Sequence, residues 1–154
     1  PISIKSEIPD ASCTGVDVSS DALQVAKNNA AKNEVTVKFS ELDILKEDLP
    51  QNTFDTIISN PPYIPNADRA LMHKNVLDYE PGLALFVDDE SPLVFYQAIA
   101  EKAVKSLKKG GKLYFEIHED FGKAVCELLS SLGYSAIELR KDLQGKDRMI
   151  RSIK

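Results

Sequence analysis

Two periodicities take turns along this chain. Residues 12–18 (SCTGVDV) form a short β-branched run ending near an acidic residue, while 20–33 (SDALQVAKNNAAKN) place Leu23, Val25, Ala26 and Ala30 at helical spacing behind a Ser-Ser-Asp start. Residues 35–39 alternate as a strand, and the apolar run 54–59 (FDTIIS) predicts a buried one. Asn60-Pro61-Pro62 must end that strand, because neither proline can donate to a ladder. Pro61, Pro62, Pro65 and Pro81 then punctuate 61–90, which reads as an irregular loop of functional length. Residues 92–108 predict a helix, with Pro92 at a first helical position, Phe95, Tyr96, Ile99, Ala103 and Leu107 on its apolar face, and Lys108-Lys109-Gly110-Gly111 at its end. A strand over 111–117, a helix over 119–132 closed by Gly133, and two strands over 135–141 and 148–153 joined through Gln144-Gly145-Lys146-Asp147 complete the pattern.

Strands alternating with helices imply a layered α/β sheet, doubly wound, with an antiparallel hairpin at its carboxyl edge. In open sheets of this kind ligands sit outside the carboxyl ends of the strands, where strand order reverses. Asp17 and Asn60 both fall at such ends, so both are expected to face one crevice.

Composition narrows the reading. With 154 residues, 43% of them hydrophobic, the chain is long enough for one domain with its own core. Its 24 acidic and 19 basic side chains leave a net charge of −5, which disfavours a protein built to hold a phosphate backbone, so direct nucleic-acid binding is not expected. No apolar run approaches the roughly 18–20 residues that cross a bilayer, and the opening residues lack signal-peptide architecture, so a soluble, cytoplasmic protein without membrane partners is expected. Cys13 and Cys126 show no metal-ligand spacing, and their apolar neighbours predict buried free thiols.

An acidic side chain at a strand end can accept both hydroxyls of a ribose, and Asp17 is placed for that; with Ser19 it serves equally well to cap the following helix. The string Asn60-Pro61-Pro62-Tyr63 is more telling. The Asn60 amide oxygen and the Pro61 carbonyl are two acceptors, held stiffly because proline fixes φ, and two fixed acceptors suit one planar NH₂ group. An amide or arylamine nitrogen is a poor nucleophile because its lone pair is delocalised. Accepting both of its N–H bonds lets charge develop as the nitrogen pyramidalises. The Tyr63 ring would stack on the planar group and complete the slot.

This string behind an apolar strand, with an acidic strand end upstream, resembles S-adenosylmethionine-dependent methyltransferases that modify exocyclic or amide nitrogens. Tyr79-Glu80-Pro81, Phe115-Glu116-Ile117 and Gly145-Lys146-Asp147-Arg148 narrow the resemblance to the HemK/PrmC family, the release factor glutamine methyltransferases, over essentially the whole length. It implies a Rossmann-like class I methyltransferase sheet and methylation of the amide nitrogen (N5) of the glutamine in the Gly-Gly-Gln loop of class I peptide-chain release factors. Asp17 would bind the cofactor ribose, Asp43 and Ile44 would border its adenine, and Asn60 would touch cofactor and substrate. Residues Asn60, Pro61, Pro62 and Tyr63 would hold the glutamine side chain. Asp43 also fits an Asx-turn residue, and Glu80 either orients the substrate loop or punctuates a turn. The rival within the same chemistry is an amino-directed DNA or RNA methyltransferase acting on adenine or guanine, for which the acidic composition provides no basic track.

Members of that family carry an amino-terminal helical domain and a first strand ending in a Gly-x-Gly-x-Gly loop. This sequence opens inside what resembles the helix after that loop, at 2–8 followed by Pro9-Asp10-Ala11. The expectation is an incomplete catalytic domain over 1–154, its first strand and glycine loop missing, inactive by itself and binding cofactor weakly or not at all. His73 and His118 read as solvated surface, Lys102, Lys105, Lys108 and Lys109 as a solvated helix face, and Arg148 as the partner of an acidic residue near the sheet edge.

Overall fold

The computed structural model describes residues 1–72, 75 and 81–154, and it divides into two compact units, Pro1–Glu47 and Asp48–Lys154. In the first unit, α1 (Ile2–Glu7) precedes a βαβ element made of β1 (Thr14–Asp17), α2 (Ser20–Lys32) and β2 (Lys38–Glu41). The two strands are parallel, with Thr14 opposite Lys38 and Asp17 opposite Glu41. Helix α2 starts where the sequence pattern places it: the Ser19 hydroxyl accepts from the Ala22 N–H at 3.2 Å, and Leu23 and Ala30 are buried. Strand β2 begins three residues later than the alternation at 35–39 predicts. The reason is the helix end, where Glu34 adopts a left-handed φ of 55° and the Val35 N–H returns to the Ala30 carbonyl at 3.1 Å, leaving Val35 in the cap.

In the second unit, β3 (Phe54–Ser59), β6 (Leu107–Glu116), β8 (Asp147–Ile153) and β7 (Ser135–Lys141) form a sheet in the order β3-β6-β8-β7. Strands β3 and β6 are parallel, whereas β8 is antiparallel to both of its neighbours. That is the antiparallel carboxyl edge expected from the sequence. Helices α3 (Val94–Ser106) and α4 (Gly122–Ser131) supply the core over this sheet. Alternation along β6 buries Leu113 and Phe115, and the register sets Ser152 and Ile150 of β8 beside them; Tyr96, Ile99, Ala100, Ala103, Val125 and Leu129 fill the helical side.

Several sequence expectations shift here. Helix α3 ends at Ser106, before the lysine-glycine run, because Leu107 turns extended at φ −71° and ψ 142° and is wholly buried opposite Phe54. Gly110 and Gly111 therefore lie inside β6, where the register slips between Phe54 and Thr56; Gly110 takes φ +77°, and a Cβ on Gly111 would stand 2.9 Å from the Lys108 carbonyl. The lysine series is accordingly no single helix face. Lys102 has a side chain only 14% exposed and pairs with Asp48 at 3.6 Å, and Lys108 pairs with Asp55 at 2.9 Å. Both cysteines are free and half-buried rather than buried. The described residues of segment 61–90 include regular structure that the sequence does not predict: β4 (Ile64–Pro65) pairs in parallel with β5 (Phe86–Val87), with 3-10 turns at Asn66–Leu71 and Gly82–Ala84. His73 lies outside the described residues. Among the described residues no helix is long and apolar enough to cross a membrane, and no cluster of side chains has a metal-ligating arrangement.

Candidate functional site

The site is built where β3 stops. Ser59 is the last ladder residue, and Pro61 and Pro62 offer no N–H with which to continue it. Pro61 is buried, Pro62 and Tyr63 are half-buried, and Asn60 is exposed. Among the described residues the Asn60 carboxamide makes no hydrogen bond, so its oxygen and nitrogen remain available to a ligand. The chain leaving the prolines is fixed at once, since the Ile64 N–H donates to the Leu85 carbonyl at 3.0 Å. A cleft of about 70 Å³ results, lined by Asn60, Pro61, Tyr63, Ile64, Ala84 and Leu85. Pro62 does not line it. Three of the four residues read from the sequence as the slot thus share one small concavity, and the fourth stiffens the chain between them.

Tyr63 is held at its tip. Its hydroxyl donates to Glu116 Oε1 at 3.0 Å across 53 positions of sequence. Burial pushes the Tyr63 phenol above its ordinary value and the bond to Glu116 pushes the same way, while the Arg148 guanidinium pulls it back. Arg148 is itself anchored, donating through Nε to Asp142 Oδ2 at 3.3 Å and to the Ile117 carbonyl at 3.2 Å. This is the acidic partner near the sheet edge that the sequence reading expects. Asp142 in turn accepts from the Gln144 and Lys146 N–H groups at 2.9 and 3.0 Å, which closes the β7–β8 turn.

A second cavity, of about 420 Å³, shares Tyr63 and Ile64 with the first and is also lined by Asp68, His118, Glu119 and Arg148. His118 is not the solvated residue the sequence predicts. Its side chain is 17% exposed, and its Nδ1 accepts from the Asp120 N–H at 3.2 Å, capping the 3-10 turn Glu119–Phe121. The other ring nitrogen, Nε2, faces Asp68 at 3.8 Å.

The remaining candidates belong to the first unit. Asp17 closes β1, is exposed, and accepts the Ser19 N–H through Oδ1 at 2.8 Å. Asp43 forms the Asx turn weighed from the sequence, accepting from the Leu45 N–H at 3.0 Å and pairing with Lys46 at 2.8 Å. Ile44 is half-buried in that turn. Glu80 lies outside the described residues.

No motif in the sequence assigns Glu116 a task or places Arg148 in one cavity with Tyr63. The signal was present: Glu116 ends β6 as Asn60 follows the end of β3, so the strand-end rule applied to Asp17 and Asn60 also selects it.

The family described as a methyltransferase domain matches residues 3–150. The release factor glutamine methyltransferase of Flavobacterium psychrophilum is 48% identical over 151 residues, which are 97% of this chain and 53% of that protein. A protein of the same name from Bacteroides thetaiotaomicron is 41% identical over 150 residues, 97% of this chain and 54% of that one. The chain spans about half the length of these two relatives. Among solved structures, a methyltransferase from Pyrococcus furiosus superposes with a TM-score of 0.66 at 19% identity, covering 98% of this chain and 66% of that one. A predicted O-methyltransferase from Agrobacterium tumefaciens gives 0.64 at 16%, covering 99% and 67%. These structural likenesses establish a Rossmann-like α/β methyltransferase fold.

Proposed function

Because the chain belongs to the methyltransferase-domain family, we propose that it carries the catalytic machinery of a protein-glutamine N5-methyltransferase acting on the Gly-Gly-Gln loop of class I peptide-chain release factors. The observation that carries this reading is the cleft at the end of β3, in which an exposed amide side chain, a proline-stiffened backbone and an aromatic ring meet. The names of the two relatives at 48% and 41% identity support the choice of substrate.

In this reading Asn60 Oδ1 and the Pro61 carbonyl accept the two N–H bonds of the glutamine carboxamide, and the Tyr63 ring covers its plane. Pro62 keeps the acceptors from swinging apart, and Glu80 orients the loop that brings substrate in. S-adenosylmethionine, when bound, would supply an electrophilic sulfonium methyl group, its methyl–sulfur bond breaking to leave a neutral thioether. As the new N–C bond forms, the two oxygens stabilise the positive charge growing on nitrogen, and the departing proton passes to water. The donor set of the first unit fits that cofactor. Asp17 offers an exposed carboxylate at a strand end, suited to ribose hydroxyls, and the Asp43 turn with Ile44 offers polar backbone beside an apolar side chain, suited to adenine.

Incubation of the full-length protein with labelled S-adenosylmethionine and a purified class I release factor tests the assignment. Label found by tandem mass spectrometry on the loop glutamine is the expected outcome. Label appearing on DNA or RNA amino groups and absent from the release factor would overturn it.

A further inference from the structure

Two segments that mark the family resemblance, Phe115-Glu116-Ile117 and Gly145-Lys146-Asp147-Arg148, have no part in the chemistry just described, yet both end beside Tyr63. Glu116 is the last residue of β6, on the opposite pleat from buried Phe115, so its side chain is not core packing. Its carboxylate accepts a hydrogen bond from the Tyr63 hydroxyl at 3.0 Å, and Arg148, anchored to Asp142 and the Ile117 carbonyl, arrives from β8 to line the cavity beside it. A phenol that donates to a carboxylate has spent its only proton there. Tyr63 therefore has no O–H to offer a substrate amide, and its contribution is the ring, whose tilt is set by the far end of the hydroxyl bond.

We propose that Glu116 is a positioning residue that fixes the Tyr63 ring against the amide cleft. The proposal rests on the glutamine-methylation reading and deepens it. The Glu116 backbone carbonyl separately accepts the Tyr96 hydroxyl at 3.2 Å, a contact that side-chain substitutions at 116 leave in place.

The test uses, in the full-length protein, Tyr63→Phe, Glu116→Ala, Glu116→Gln and the Tyr63→Phe/Glu116→Ala double variant. Loss of orientation at a reacting group costs on the order of 10-fold to 100-fold in turnover, so Tyr63→Phe and Glu116→Ala should each lower kcat about 10-fold, with KM for S-adenosylmethionine unchanged. The double variant should be no slower than the worse single one, because both break the same bond. Glu116→Gln returns an acceptor oxygen and should recover kcat to within about 3-fold of wild type, a rescue by the conservative residue that a merely structural role would not require. In parallel, NMR of ring-labelled tyrosine follows the Tyr63 phenol, which should titrate above the ordinary value of about 10 in wild type and move down towards it in Glu116→Ala. Wild-type kcat in Glu116→Ala, additive losses in the double variant, or Tyr63 ring resonances and titration indifferent to residue 116 would overturn the proposal. Full-length wild-type protein unable to methylate release factors would defeat the substrate assignment, while the phenol titration would still decide whether Glu116 fixes the ring.

Discussion

The Ile64 N–H donates to the Leu85 carbonyl at 3.0 Å, and this bond ties the chain leaving the two prolines to the far side of the loop. It opens the β4–β5 pair, with Ile64 opposite Phe86 and Pro65 opposite Val87. The cleft beside Asn60 thus has one wall supplied by residues more than twenty positions away, Ala84 and Leu85. Removing the donor should loosen that wall without touching the acceptors. Ile64→Pro is expected to lower methyl-transfer turnover at least about 10-fold, while Ile64→Val, which keeps the N–H, stays within about 3-fold. Steady-state kinetics on the two variants, with circular dichroism to confirm folding, checks this.

Two helices end in the same motif with different residues. At the end of α4 the Gly133 and Tyr134 N–H groups return to Ser130 and Leu129 at 3.0 and 3.1 Å, with Gly133 at φ +85°. At the end of α2 the Glu34 and Val35 N–H groups return to Ala31 and Ala30, both at 3.1 Å, with Glu34 at φ 55°. A side chain in the left-handed region costs about 1–2 kcal/mol. Gly133→Ala should therefore destabilise by about that amount, and Glu34→Gly should stabilise by up to about 1 kcal/mol despite the flexibility glycine adds to the unfolded chain. Urea denaturation midpoints give both signs.

The β7–β8 turn carries an acid-sensitive element. The Lys146 N–H, then the Gln144 N–H and the Arg148 guanidinium, hold the Asp142 carboxyl below its ordinary value. A folded-state value below the unfolded one means stability that is present above the unfolded carboxylate range and lost as pH falls through the folded one. Asp142→Asn should leave a protein less stable at neutral pH whose stability depends less on pH below about pH 4. Thermal midpoints measured from pH 3 to pH 7 on both proteins check the slope.

Leu113 and Ser152 are opposite each other across β6 and β8, both fully buried, with opposite expectations. Among the described residues the Ser152 hydroxyl has no hydrogen-bond partner. An unpaired buried hydroxyl costs about 1–3 kcal/mol, so Ser152→Ala should be neutral or stabilising by about 1 kcal/mol. Leu113→Ala should cost about 2–5 kcal/mol through lost burial and the cavity left behind. Chemical denaturation separates the two.

Elements governed by local chemistry were legible in the sequence. The Ser19 cap, the stop at Pro61-Pro62 and the β7–β8 hairpin each follow from residues within a few positions of one another. The exchange of helix for strand at Leu107 was not legible. Two lysines and two glycines read as a helix end, whereas burial of Leu107 against Phe54 is a long-range packing preference that overrides the local one. The same limit applies at the site. Asn60, Pro61 and Tyr63 of the cleft are near neighbours in sequence, but the bond that braces Tyr63 reaches Glu116 on β6, 53 positions away, and no spacing rule connects the two. His118 misled for a related reason, because a histidine after a strand gives no sign that its Nδ1 will cap the next turn.

The central claim is that two stiff oxygen acceptors at the end of β3 hold a glutamine amide nitrogen for methylation. It is tested most directly by single-turnover methyl transfer to a purified release factor with full-length wild type and Asn60→Ala, both confirmed folded by their thermal midpoints. Loss of one oxygen that stabilises developing charge should slow the chemical step about 100-fold to 1,000-fold. Transfer by Asn60→Ala within about 3-fold of the wild-type rate would contradict the claim.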